Sequence, residues 1–255
     1  MAFSVRAVLV NGASRGLGLE LVSQFLALPT PPELVIGTCR SPDTATRLQD
    51  MARTNPSLKI IKLDIENDDD IENAFKETEA LVGKKGLNIL VNNAGHYDQS
   101  DPGDLKHVSR EGMLKHYNIN TAGHVMVVKK FLPLLELAVA ERGSKTLNCQ
   151  AQVVMISSVM GSLTMTYREG RRICLHYKCS KTAAIMAGIM VSRELRDVGI
   201  HVLLVHPGFI QTDMGGPEAN ISTQESVAGC FKLIGSSTEA TSGVLFQFTG
   251  DELPY

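Results

Sequence analysis

A chain of 255 residues, 44% of them hydrophobic, is long enough for one large α/β domain or two small ones and too apolar to stay disordered. Its formal net charge of −2 removes any electrostatic reason to expect nucleic acid or an anionic membrane as a partner, and no apolar run approaches the length of a membrane span. Five scattered cysteines (Cys39, Cys149, Cys174, Cys179, Cys230), with no signal-peptide core ahead of Gly12, argue for a reducing, cytoplasmic location.

Val5 to Val10 reads as a buried parallel strand. It runs into Asn11-Gly12-Ala13-Ser14-Arg15-Gly16-Leu17-Gly18, whose glycines allow a tight turn and close approach of backbone to a pyrophosphate. Leu17, Leu21, Val22 and Phe25 then mark a helix whose N-terminus offers free N–H groups to that anion. The Pro29-Thr30-Pro31-Pro32 segment ends the helix. Leu34 to Cys39 is a second strand with Arg40 at its end. In a dinucleotide fold an acidic residue there would hold the ribose hydroxyl of NAD, whereas an arginine suits the 2′-phosphate of NADP. Arg15 offers a second positive charge, and two arginines at the two expected places favour NADP.

Ser41 to Asn55 reads as a polar helical region, Leu58 to Leu63 as a third strand ending at Asp64-Ile65, and Ile71 to Val82 as a helix. The run Asp64, Glu66, Asp68, Asp69, Asp70 is a solvated loop and helix start rather than a metal site. Leu87 to Val91 is a fourth strand, followed by Asn92-Asn93-Ala94-Gly95, small enough for a cofactor to lie against, and by a loop from His96 to Gly103. Val108 to Glu141 forms a long helical stretch. Asn118 to Gly123 within it is costly in mid-helix and points to a kink or a functional reason. Ala151 to Ser157 is a fifth strand that delivers Ser158 to the carboxyl edge of the sheet, where ligands of open α/β folds gather. Gly161 to Ile173 reads as an unusually long loop.

Tyr177 to Arg196 is a helix that sets Tyr177 and Lys181 on one face at i and i+4. A free phenol has a pKa of about 10. A neighbouring ammonium is expected to lower it and to suit the pair to general acid–base work. Cys174, His176 and Cys179 have no second ligand pair for zinc and read as packing residues; no metal is expected. Ile200 to Val205 is a sixth strand, ending at His206-Pro207-Gly208. Phe209 to Thr223, rich in Gly and Pro, is a mobile lid, Val227 to Ile234 a helix, and Val244 to Phe248 a last strand. The alternation describes one doubly wound Rossmann-type α/β domain over residues 1–255, its mostly parallel sheet flanked by helices.

Together these pieces resemble the short-chain dehydrogenases/reductases over essentially the whole chain: the glycine loop, Asn92-Asn93-Ala94-Gly95, Asn120 with Gly123, Ser158, Tyr177-x-x-x-Lys181, and Pro207-Gly208 followed by Thr212. The segment His206 to Gly216, Thr38-Cys39-Arg40 and the run Thr249 to Tyr255 resemble the sniffer and C-factor-like carbonyl reductase branch. Three features depart from the pattern. Asn11 stands where the family usually has Thr, with a side chain able to bond the turn backbone. The interval from Ser158 to Tyr177 is longer than usual and should reshape the substrate pocket. Cys179 replaces a common alanine.

The resemblance implies carbonyl reduction by hydride from NADPH. Tyr177 would be proton donor and Lys181 would hold the nicotinamide ribose. Ser158 would orient the carbonyl oxygen, and Asn120 would support a proton-relay water beside Lys181. It further implies that Gly12, Ser14, Arg15, Gly16, Leu17 and Gly18 hold the pyrophosphate side and that Arg40 meets the 2′-phosphate. Asp64 and Ile65 would border the adenine, Asn93, Ala94 and Gly95 its ribose, and Pro207, Ile210 and Thr212 the carboxamide end. His96, Tyr97, Met160, Leu163, Phe209 and Met214 either wall a hydrophobic pocket for an aldehyde, ketone or quinone or simply pack the core. The helical stretches at 108–141 and 177–196 commonly form subunit interfaces in the family, so a homo-oligomer (dimer or tetramer) is expected. Two other readings are an NADP-binding signalling module with little turnover and an NAD-dependent alcohol dehydrogenase. The intact Asn120, Ser158, Tyr177 and Lys181 argue against the first, and Arg40 against the second.

Overall fold

The computed structural model describes residues 5–99, 103–141, 151–169 and 174–255. Among these residues seven strands form one sheet in the order β3-β2-β1-β4-β5-β6-β7, every neighbouring pair parallel. They are β1 Ala7–Asn11, β2 Leu34–Cys39, β3 Leu58–Lys62, β4 Ile89–Asn92, β5 Ala151–Ile156, β6 Ile200–His206 and β7 Leu245–Gln247. Among the described residues there are eight α-helices: α1 Gly16–Leu26, α2 Thr46–Thr54, α3 Asp68–Val82, α4 Arg110–Tyr117, α5 Gly123–Ala140, α6 Leu163–Glu169, α7 Leu175–Leu195 and α8 Thr223–Ser236.

The central strands read as continuous apolar runs because both of their faces are covered. Ala7 and Leu9 of β1 join one core with Ala151, Val153 and Met155 of β5, under Ile71, Phe131 and Ile185. Val8 and Val10 join the opposite core with Val154 and Ile156, under Leu21, Leu48 and Val227. Strand order reverses between β1 and β4, so the crevice beyond their carboxyl ends is the topological switch point of the sheet, the ordinary ligand position in such folds. Residues 11–18 and 92–95 open onto it.

Three segments differ from the sequence reading. The stretch 161–173 is not all loop. A 3₁₀ turn at Val159–Gly161 leads into α6; residues 170–173 lie outside the described residues, as does Cys149. The helical stretch after Val108 is interrupted where Asn and Gly predicted it, but by a π-helical turn, Asn118–Ala122, between α4 and α5. The polar stretch after Ser41 is a 3₁₀ turn, Pro42–Thr44, and then α2. No helix among the described residues is long and apolar enough to cross a membrane, and no metal-ligating cluster is present among them.

Candidate active site

The switch-point crevice is stitched together by one buried side chain, Asn11, at the end of β1. Its amide donates to Asn92 Oδ1 at 2.7 Å, and its Oδ1 accepts the backbone N–H groups of Asn93 (2.8 Å) and Ala94 (2.7 Å). Asn93 Nδ2 returns a bond to the Asn11 carbonyl at 2.9 Å. Asn11 therefore braces the β4 loop, not its own turn as the sequence suggested. Behind this loop, His124 Nε2–H donates to the Ala94 carbonyl at 2.7 Å. Desolvation, with a further push from the Lys181 charge, lowers the His124 pKa to about 3, so the imidazole is neutral. Nothing local in the sequence marked His124.

The crevice fits a dinucleotide. Gly12 and Gly16 have φ of 68° and 55°, values that L side chains rarely adopt. Helix α1 starts at Gly16 with Arg15 in the cap position and no side-chain cap bond, so its first-turn N–H groups face the loop and suit a pyrophosphate. Ser14 is half-buried in that loop, and Leu17 packs into the core behind it. Arg40 is exposed at the end of β2. Arg15 is also exposed and pairs with Asp213 at 3.1 Å; an exposed pair of this kind contributes little energy, so its guanidinium is readily diverted to a phosphate. Ile65 is buried, and half-buried Asp64 accepts the Glu66 N–H at 3.1 Å, closing a tight turn. Gly95 opens onto the crevice, with Met214 the nearest residue of the facing segment.

The segment 209–223 is fastened across the mouth. Ile210 bridges Ile221, and Gln211 N–H donates to the Ile221 carbonyl at 2.8 Å. Gln99 Nε2 reaches the carbonyls of Asp213 and Met214, each at 2.8 Å, and the Thr212 methyl sits over Gly16. Pro207 is buried at its root, where its carbonyl accepts the Ser226 hydroxyl at 2.6 Å. Gln99 and Asp213 had no distinguishing signal in the sequence, since each pairs only with residues about a hundred or more positions away.

Helix α7 and the end of β5 bring the remaining groups together. Lys181 is buried, with Nζ donating to the Ile156 carbonyl at 3.1 Å and lying 5.8 Å from the Tyr177 ring centre. Desolvation lowers its pKa to about 8. Desolvation raises the Tyr177 pKa to about 12; a hydrogen bond with the Ser158 hydroxyl opposes the rise, and Cys174 adds to it. The sequence reading expected Lys181 to depress the phenol; here desolvation is the largest influence on Tyr177, and it raises the pKa instead. His206, at the end of β6, is likewise pushed down to about 4 by desolvation and then by Lys181.

Asn120, fully buried in the π-turn, exchanges two bonds with the His96 backbone, at 2.8 and 2.9 Å, and donates to Ser180 Oγ at 3.0 Å. Ser180 Oγ–H in turn donates to the Tyr177 carbonyl at 2.8 Å. The Asn120 carboxamide therefore fixes the 96–99 loop against α7. Tyr97 stands edge-on to Tyr177 with ring centres 5.1 Å apart, and its hydroxyl meets Cys174 Sγ at 3.1 Å. His96, His116 and His176 stack alongside with centroid spacings of 4.6 and 4.4 Å. Cys174 and His176 are buried, as packing residues should be, but Cys179 is exposed. Met160 is half-buried, whereas Leu163, Phe209 and Met214 are exposed apolar groups.

The chain matches the family model for short chain dehydrogenases over residues 6–221. Its backbone superposes on the NADPH-bound carbonyl reductase from chicken fatty liver with a TM-score of 0.91 and 34% identity, covering 98% of this chain and 99% of that one. The carbonyl reductase Sniffer of D. melanogaster gives a TM-score of 0.91 at 29% identity, covering 99% and 100%. C-signal of Myxococcus xanthus is 32% identical over 170 residues, which is 66% of this chain and 93% of that protein. The likeness to the sniffer and C-factor branch read from the sequence is therefore borne out, and the chain belongs to the short-chain dehydrogenase family as one of its oxidoreductases.

Proposed function

We propose that this protein reduces a hydrophobic carbonyl compound (an aldehyde, ketone or quinone) to an alcohol, with NADPH as reductant. The observation that carries the reading is the convergence of a protonated Tyr177, the Ser158 hydroxyl and the Lys181 ammonium at the switch-point crevice. NADPH, when bound, supplies the hydride. Ser158 orients the carbonyl oxygen, and Tyr177 gives that oxygen its proton as negative charge develops there. Lys181 holds the nicotinamide ribose and, by its charge, favours loss of the phenolic proton at that moment. Asn120 acts one step back by fixing the 96–99 loop to α7. Gly12, Ser14, Gly16, Leu17 and Gly18 would cradle the pyrophosphate, with Asp64, Ile65, Asn93, Ala94 and Gly95 along the adenosine half and Pro207, Ile210 and Thr212 at the carboxamide.

The choice of NADPH rests on Arg40 and Arg15, two exposed guanidinium groups, one at the end of β2 and one in the glycine loop, with no acidic residue at the end of β2. The NADPH-bound state of the chicken reductase supports it, as does a relative from Ornithobacterium rhinotracheale, 30% identical over 212 residues (83% of this chain, 68% of that protein), named as an NADPH-dependent 3-dehydrocapnine reductase. Arg40→Ala is expected to weaken NADPH binding about tenfold or more, the scale of one charge-assisted contact, and to leave NADH binding unchanged. Equal NADPH affinity in wild type and variant, measured by titration calorimetry, would remove the basis for NADP.

A homo-oligomer is part of the same reading. Leu114 (61% exposed), Tyr117 (50%), Met186 (59%) and Met190 (57%) form an apolar face on α4 and α7, beside a cavity of about 380 Å³ lined by Tyr117, Met126, Ala183 and Met186 among others. Such a patch suits a subunit contact. Met186→Glu should lower the sedimentation coefficient toward that of a monomer; a wild-type protein that already sediments as a monomer would end this part of the proposal. A cytoplasmic location is supported by the free thiols of the four described cysteines, Cys39, Cys174, Cys179 and Cys230, and cell fractionation tests it.

A further inference from the structure

The run Thr249 to Tyr255 took no part in the site described so far. Its backbone covers the outer edge of β7. Phe246 bridges Glu252 in antiparallel fashion, Gln247 N–H donates to the Asp251 carbonyl at 2.8 Å, and Leu253 N–H donates to the Leu245 carbonyl at 2.8 Å. Leu253 also packs against the sheet core. The chain then reaches α6, in the lengthened interval between Ser158 and Tyr177.

Helix α6 has seven residues and buries none of them. A helix this short is not stable by itself, and the side chains it turns inward, Thr164, Met165 and Thr166, are only half-buried. Its hold is polar. Ser162 Oγ accepts the Met165 N–H at 3.1 Å. The Tyr255 carbonyl accepts both the Thr164 N–H at 3.1 Å and the Thr164 hydroxyl at 2.6 Å, which satisfies a first-turn donor that would otherwise lack a partner. The Tyr255 hydroxyl then donates to the Gly243 carbonyl at 2.7 Å. Gly243 is itself fixed: its N–H donates to Val202 of β6 at 2.8 Å, its φ is 85°, and an added Cβ would collide with Ser192 of α7. Tyr255 thus links the helix to the rigid β6–β7 core, beside a longer contact from Lys178 Nζ of α7 to Thr166 Oγ1 at 3.5 Å. The side chains the helix presents at i and i+4 are apolar and exposed, Leu163 (66%) and Tyr167 (90%), and the helix starts five residues beyond Ser158.

We propose that Tyr255 is a positioning residue: the Leu253–Tyr255 segment is a strap that holds α6 so that Leu163 and Tyr167 form the far wall for substrates extending well beyond their carbonyl. The proposal rests on the carbonyl-reductase reading for its substrate, but not for the strap itself. It places chain-length or ring-size selectivity in α6 and the strap, away from the reacting groups.

Two variants test it, Tyr255→Phe, which removes the bond to Gly243, and Thr164→Val, which removes the hydroxyl bond to Tyr255. Hydrogen exchange on the full chain reads the strap directly. In both variants the amides of 163–169 should exchange about three- to tenfold faster, the scale of one lost hydrogen bond, while those of β1, β4 and β5 keep their wild-type rates. Steady-state kinetics reads the wall. KM for a long-chain aliphatic aldehyde should rise by a similar factor. KM for a three-carbon aldehyde, kcat and NADPH affinity should stay within about twofold. Unchanged exchange at 163–169 in both variants would overturn the strap. Long and short aldehydes shifting together would overturn the wall. A wild-type protein inert toward every carbonyl would instead overturn the proposed function, and the exchange result would still decide the strap.

Discussion

Tyr177→Phe is expected to lower turnover by about 10²- to 10⁴-fold, the usual worth of a positioned proton donor, with NADPH affinity unchanged. Phenylalanine keeps the ring that meets Tyr97 edge-on at 5.1 Å and removes one oxygen, so the local packing survives and the loss belongs to the proton. The phenol carries its proton at neutral pH, as an ordinary phenol does, and burial raises its pKa further, to about 12, so release of the proton in the reductive direction depends on the positive charge beside it. It can then yield that proton to an oxygen becoming an alkoxide while Lys181, 5.8 Å from the ring centre, compensates the charge left behind. Burial that raises the phenol and lowers the ammonium to about 8 separates two groups that would be within half a unit of each other in water. A Tyr177→Phe protein that kept a tenth of wild-type turnover would show that another group supplies the proton.

Gly18→Ala is the second large effect. A Cβ at Gly18 would collide with the Gly12 carbonyl and with Asn93 Nδ2, the atoms that join the glycine loop to the β4 loop. The backbone has to shift, at about 1–3 kcal/mol for overpacking of this kind, and the displaced first-turn N–H groups should weaken NADPH binding more than about tenfold. Gly95→Ala is the contrast. Its added methyl would meet Asn120, Asn93 and Met214 at 3.6, 3.8 and 3.9 Å, ordinary contacts, so thermal stability should stay within about 0.5 kcal/mol of wild type. Because Gly95 opens onto the crevice, NADPH binding should weaken all the same. Loss of stability at Gly18 without loss of binding at either position would place the cofactor elsewhere.

The two mutations mark where the sequence was informative and where it was not. The strands were legible because both faces of the sheet are covered, which turns Ala7–Asn11 and Ala151–Ile156 into unbroken buried runs. The interruption near Asn120 was legible because asparagine and glycine are poor mid-helix residues, although nothing in composition separates a π-turn from a simple kink. Helix α6 was not legible for a related reason: it buries nothing, so it leaves no apolar period to read. The direction of the Tyr177 shift was missed because the sequence shows that a lysine lies four residues on, but not how far the two groups are withdrawn from water, Lys181 buried and Tyr177 half-buried. The partners of Asn11 were missed because they sit about eighty positions away on β4. Family likeness supplied the names of the expected catalytic groups. The structure added that the Asn120 carboxamide fastens the 96–99 loop and that Gln99 carries this fastening on to the 209–223 segment.

Hydride transfer to a carbonyl carbon is tested most directly by following the hydride itself. NADPH carrying deuterium at the reactive carbon of its nicotinamide ring would be incubated with the protein and a panel of hydrophobic aldehydes, ketones and quinones, and the products read by mass spectrometry. Deuterium at the carbinol carbon of an aldehyde- or ketone-derived alcohol, absent from the Tyr177→Phe reaction, is the predicted result. Tight NADPH binding with no labelled product and no cofactor consumption across the panel would contradict it and leave a nucleotide-binding protein whose output is something other than reduction.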